Sequence, residues 1–179
     1  MVDTRCSEFG WHMRFLRLLG CVAALLMPAG NVSAASKQAF IDLFDGAWTG
    51  AGTVIDGAVS WQVNCSAIGL STINRLTIEG VCTVSILSVR IAADIWYHPA
   101  SERFSGTYIG ARVGPARVSG KSRGNAIILG VTWPEPVNGD TKARMMIVNT
   151  GDRFRLTLLD NAIPGGPEQV MSDVLLLRK

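Results

Sequence analysis

From Trp48 to the C-terminus, apolar and polar residues alternate with a period of two, and turn-forming residues interrupt the alternation every eight to fifteen positions. The pattern predicts strands over 48–55, 58–66, 73–87, 91–97, 103–110, 115–121, 126–133, 141–149, 153–160 and 169–178. Asp56-Gly57, His98-Pro99, Ser122-Arg123-Gly124, Asn138-Gly139-Asp140, Thr150-Gly151-Asp152 and Pro164-Gly165-Gly166-Pro167 supply breaks. Ile127, Leu129, Val131 and Trp133 share one face of their strand. Phe154, Leu156 and Leu158 share another, opposite Arg153, Arg155 and Thr157. One wet and one buried face marks antiparallel pairing. Ahead of the first strand, Ser36 to Asp45 reads as a short helix, with Ser36 as N-cap, Phe40 and Phe44 on one face, and Gly46 as stop.

No helix separates the strands, so they form a meander, and closing a meander removes its edges. The expected fold is all-β: a single antiparallel up-and-down β-barrel of about 8–10 strands with a short N-terminal helix. Glycines within strands (Gly50, Gly52, Gly106, Gly110, Gly130) fit a sheet that curls.

The first 34 residues follow another rule. Arg14 and Arg17 precede an apolar run, Leu18 to Met27, that is too short to span a bilayer. Pro28 and Gly30 break it, and Ala29, Ser33, Ala34 and Ala35 offer small residues for cleavage. This is the pattern of a Sec-type signal peptide cut near Ala34, with translation starting at Met13 and residues 1–12 an extension. The alternatives are a retained anchor and a lipoprotein, since Leu18-Leu19-Gly20-Cys21 resembles a lipobox. The expected division is therefore 1–34 leader and 35–179 barrel, periplasmic or secreted.

Export changes the meaning of charge and cysteine. The chain holds 17 Lys+Arg and 14 Asp+Glu; losing Arg5, Arg14, Arg17, Asp3 and Glu8 leaves 14 and 12. That balance excludes a nucleic-acid binder, whose basic surplus is larger and clustered. Cys6 and Cys21 leave with the leader, and Cys65 and Cys82 remain as an even pair in an oxidising compartment, the setting of a structural disulfide. Setting Cys65 opposite Cys82 also places Asn64 against Thr83, Val63 against Val84, Gln62 against Ser85 and Trp61 against Ile86. Polar then meets polar and apolar meets apolar at each step. The absence of a Cys-x-x-Cys spacing argues against redox catalysis.

Gly46-Ala47-Trp48, after a short helix and opening the first strand, resembles the Gly-x-Trp signature of lipocalins and the wider calycin group. The resemblance implies that Trp48 sits at the closed end of the barrel with a late-strand arginine across it, Arg178 first and Arg155 second. The order Trp48, Cys65, Cys82, Trp96 is also similar to bacterial periplasmic metalloprotease inhibitors, which are small exported barrels with one early disulfide. This chain departs from lipocalins in that disulfide and in lacking their other motifs. It departs from the inhibitors in its greater length.

Chemistry-bearing clusters are few. His98 lies before Pro99 in a turn, and a triad with Ser101 and Asp94 lacks a nucleophile elbow. A haem barrel of the nitrobindin type needs a late-strand histidine, and none follows His98. One histidine and two paired cysteines make no zinc set. Asp94 reads as a solvent-facing strand aspartate without a second carboxylate. No cofactor and no catalytic activity are therefore expected. Arg112, Arg117, Lys121 and Arg123 form a basic stretch without an acid. It reads as a solvated strand protecting an edge, or else as a docking patch for an anionic surface. Trp61, Trp96, Tyr108, Trp133, Met145 and Phe154 are the large residues expected to face inward. With 48% hydrophobic but 7% aromatic residues, they either fill a core or line a cavity for one small apolar or amphipathic ligand or lipid. The competing function is surface binding as a protease inhibitor or envelope-interaction protein.

Overall fold

The period-two alternation closes on itself. In a computed structural model that describes residues 30–110 and 113–179, with side chains from Ser36 onward, ten strands form a closed antiparallel barrel. Its elements are α1 (Gly30–Asp42), β1 (Gly46–Asp56), β2 (Val59–Thr72), β3 (Arg75–Val84), β4 (Leu87–His98), β5 (Arg103–Ile109), β6 (Ala116–Arg123), β7 (Ala126–Val137), β8 (Asp140–Asn149), β9 (Arg153–Asn161) and β10 (Glu168–Arg178). Each strand pairs with the next, and β1 pairs with β10 from Trp48↔Arg178 to Val54↔Ser172, so no edge is left. The leader before Gly30, the start at Met13, and Arg112 lie outside the described residues. No described helix is long and apolar enough to cross a membrane.

Several boundaries differ from the expectation, β4 opening at Leu87 and β7 running on to Val137 among them, and two have legible local causes. β2 runs on to Thr72, and the hairpin turns at Ile73-Asn74, where Asn74 takes the left-handed conformation (φ 58°). The extension is hidden in the sequence because its polarity is inverted: small Ala67 and Gly69 face inward while Ile68 and Leu70 are exposed. The expected strand 73–87 is likewise two strands. The chain turns at Ser85-Ile86, with Ser85 at φ 52°, a conformation that favours Gly or Asn over Ser, and with a β-branched residue beside it.

The β2–β3 register is Cys65↔Cys82, and the two are joined by a disulfide with S–S 2.04 Å. The ladder stops at Asn64↔Thr83, one residue before β3 ends at Val84 and the chain turns into β4. The pairs Val63/Val84, Gln62/Ser85 and Trp61/Ile86 therefore do not form.

One end of the barrel is sealed. α1 begins at Gly30, so Ser36 lies within the helix and is not its cap. Beyond Asp42 the chain tightens, with Leu43, Phe44 and Asp45 N–H groups bonding back three residues. Phe44 is fully buried, its ring 5.6 Å from those of Phe40 and Phe154, and Trp48 packs edge-on to Phe154 at 4.9 Å. A helix end leaves carbonyls without partners. Here the Trp48 indole donates to the Phe44 carbonyl (2.9 Å) and the Asn149 amide to that of Leu43 (3.1 Å). The Arg178 guanidinium donates to the carbonyls of Leu43 (2.7 Å), Gly151 (3.0 Å) and Asp45, and its Cζ lies 4.3 Å from the Trp48 ring centroid. Gly69 allows the approach: a Cβ there would stand 2.0 Å from the Phe44 carbonyl oxygen.

Two stability effects should follow. Reducing the disulfide to a free thiol in Cys65→Ser should cost about 2–4 kcal/mol in denaturant unfolding; an unchanged midpoint would show that the bond contributes nothing. Arg178→Ala should cost about 2 kcal/mol by loss of charge-assisted hydrogen bonds and the ring contact. Arg178→Lys should restore less than half of that, since an ammonium lacks the planar fork.

Candidate functional site at the barrel mouth

The opposite end has no helix over it. The inward faces of β2 and β4 continue past the core and remain uncovered there: Val59 is 48%, Trp61 45% and Leu87 60% exposed. Half-buried Val54 and Val84 stand beside them. Across the mouth, Trp133 is buried and its indole donates to Asp160 at 3.1 Å. Tyr108 lies two strands away, its ring centroid 6.3 Å from that of Trp133. The result is an apolar lip on one side, an aromatic floor, and one buried carboxylate on the far wall.

Asp160 was not among the residues the sequence pattern singled out. Its signal was present, since it continues the Phe154, Leu156, Leu158 face by period two. It is 3% exposed. Burial raises its carboxyl above the ordinary range. The N–H donors of Asn161 (2.8 Å) and Trp133 act against that, and nearby Asp140 and Glu168 add to it. Burial also pushes the Tyr108 phenol up to about 12, so the hydroxyl stays neutral.

The six large residues expected inside do not form one site. Trp61 stands on the lip, Tyr108 and Trp133 form the floor, and Met145 is buried in the packed middle. Phe154 belongs to the plug at the closed end, in contact with Phe44 and Trp48. Trp96 faces outward: Ile95 and Tyr97 hold the inward positions of β4, so period two turns Trp96 to solvent, beneath Arg75 at 4.9 Å. Arg75 in turn pairs with Asp94 at 2.8 Å on the outer wall. The barrel-closing pair Trp48 and Arg178 and the disulfide pair Cys65 and Cys82 are placed as described above.

On the outer wall, Arg117, Lys121 and Arg123 point outward from β6. A shallow groove of about 450 Å³ runs there between Ser105, Arg117, Ser119, Gly130 and Thr132. A second, of about 320 Å³, lies between Thr53, Gln62, Arg155 and Asp173. Both are outside the barrel. His98 is exposed and its Nε2 lies 2.6 Å from Ser105 Oγ, not from Ser101. Among the described residues no group of three His, Cys, Asp or Glu side chains is disposed to hold a metal.

The fold defines the class: a closed ten-stranded antiparallel barrel plugged at one end, with two strands more than the eight of lipocalins. No protein-family model matches the chain, and no curated protein matches it. Twelve chains of known structure are similar. Among them is the crystal structure of Rv2717c from M. tuberculosis, with a TM-score of 0.61, 14% identity, and coverage of 78% of this chain and 94% of that one. At that identity the likeness establishes the fold.

Asp160 should leave a pH signature. Its folded carboxyl holds its proton more tightly than the unfolded one, so the native state binds more protons in that window and stability falls as pH rises through it. Asp160→Asn keeps an acceptor for Trp133 and removes the titration. The difference in melting temperature, variant minus wild type, should therefore grow from about pH 3 to about pH 7. A difference independent of pH would show that the carboxyl is not perturbed.

Proposed function

We propose that this protein is an exported, non-catalytic, lipocalin-like barrel that holds a small apolar or amphipathic molecule at its mouth. The observation that carries this reading is the half-exposed inner face of β2 and β4, where Val59, Trp61 and Leu87 continue the barrel lining beyond the packed core. Exposed apolar surface that forms the wall of a concavity gains by being covered. The lower barrel is filled by Ile127, Leu129, Met145, Ile147, Phe154 and Leu176, all at most 2% exposed, so a guest sits on the floor at Tyr108 and Trp133, not deep inside. The Asp160 carboxyl beside Trp133 suits the polar end of an amphipathic guest.

A second reading, an envelope-interaction protein or periplasmic inhibitor acting through its surface, draws on the groove beside Arg117 and the outward basic row of β6. The two separate by residue. Native mass spectrometry of protein isolated from the periplasm should show a co-purifying lipid-like adduct. Trp61→Ala should weaken binding of a fluorescent fatty-acid probe about tenfold, by loss of roughly half an indole of contact. Repeated preparations without adduct, together with no uptake of the probe, would eliminate the mouth reading and leave the surface one.

A further inference from the structure

Five connections surround the mouth, and three neighbouring ones share an unusual composition. They are the β1–β2 turn, the β3–β4 turn and the β9–β10 loop. Residues 57–74, 80–89 and 161–167 contain no Asp, Glu, Lys or Arg. Their tips carry large apolar side chains instead: Ile86 is 92% and Ile163 64% exposed, with Val59, Trp61 and Leu87 behind them. A two-residue turn asks for Gly, Asn or Asp. Ser85-Ile86 turns with Ser85 in the left-handed region and places an isoleucine at the point of greatest exposure. Local turn chemistry does not account for that residue, and no described neighbour covers it.

We propose that this half of the rim docks on the surface of a zwitterionic phospholipid bilayer, inserting Ile86 and Ile163 among the acyl chains and setting Trp61 at headgroup level. Three observations favour a bilayer over a protein partner. The apolar residues sit on separate tips around a curved rim, so a deformable apolar phase contacts them together, whereas a folded partner would need a matching pit for each. The tips carry no charge with which to select a protein partner or fix its orientation. Trp61, apolar in body with a polar N–H, is of the residue type that gathers at membrane interfaces. The carboxylate on this arc, Asp56 at the end of β1, sets it against anionic lipid and favours neutral headgroups, while Glu168 at the start of β10 is paired with Arg144. Docked in this way, the mouth faces the source of apolar molecules. The docking itself does not require that any be held there.

The test is co-sedimentation of the exported protein with phosphatidylcholine vesicles, read also as a blue shift of tryptophan emission. Wild type should bind, and about 0.5 M salt should leave binding unchanged because no ion pair contributes. The double variant Ile86→Asp/Ile163→Asp should lower the partition coefficient about tenfold or more, with an unaltered melting temperature since both side chains are exposed. Leu70→Asp, on the outer wall near the closed end, should bind as wild type does. Any of four results overturns the proposal: no binding by wild type, binding that survives the double variant, equal loss in Leu70→Asp, or binding abolished by salt. A wild-type dimer that Ile86→Asp splits, without vesicle binding, would also overturn it and make the rim a self-interface. Adducts in native mass spectra are scored separately, so a failed docking leaves the ligand question intact.

Discussion

The barrel depends on how the chain satisfies the carbonyls where its N-terminal helix ends. Leu43, Phe44 and Asp45 present those oxygens inside a ring of strand ends, where water cannot solvate them fully. Arg178, from the last strand, answers two of them and covers the face of Trp48 from the first. One side chain therefore ties together the plug, the first strand and the last. Those are the elements whose meeting turns a meander into a closed barrel. The pairing of β1 with β10 and the seating of Phe44 are then two aspects of the same contact. Gly69 belongs to it as well, since any side chain there would push the Phe44 carbonyl away.

Closing one end this tightly makes the other end the place where function is free to vary. At the plug, inward positions are fully covered by aromatic packing. At the mouth, inward positions of β2 and β4 outrun the core and are left about half exposed. The same alternation thus produces core at one height and an apolar lip at another. The disulfide stands between them, holding β2 to β3 just below the point where the ladder ends and the two strands part. It fixes the base of the lip. Trp133 and Asp160 give the far wall its polar point, and burial raises the Asp160 carboxyl above its ordinary range despite two N–H donors.

Some of this could be read directly from residue order. β6 to β10 alternate cleanly and have strong turn formers between them, so their positions and inward faces agree closely with the pattern. The cysteine register was readable at Cys65↔Cys82 and Asn64↔Thr83, but the three matched pairs read beyond them do not form. The region 67–87 was not readable in the same way. Ile68 and Leu70 sit on the outer face of their strand, and Ser85-Ile86 turns without the Gly or Asn that a positive φ favours. In both places local polarity conflicts with local geometry, and tertiary pairing decides.

Trp48 and Arg178 as the two sides of one closure were expected through the resemblance to lipocalins; taken alone, the order of residues determined an all-β chain of about ten strands and the pairing of Cys65 with Cys82. These are local or pairwise properties, set by a side-chain period of two and by which types of residue can face each other across a ladder. Tertiary structure decided which inward residues are covered. Trp61, Met145 and Phe154 all fall on inward faces, yet one lies on the lip, one in the packed middle and one in the plug. Their heights follow from the stagger of strands around the closed barrel and from where the helix sits. Neither is encoded at the residue concerned; both arise only when the ring closes.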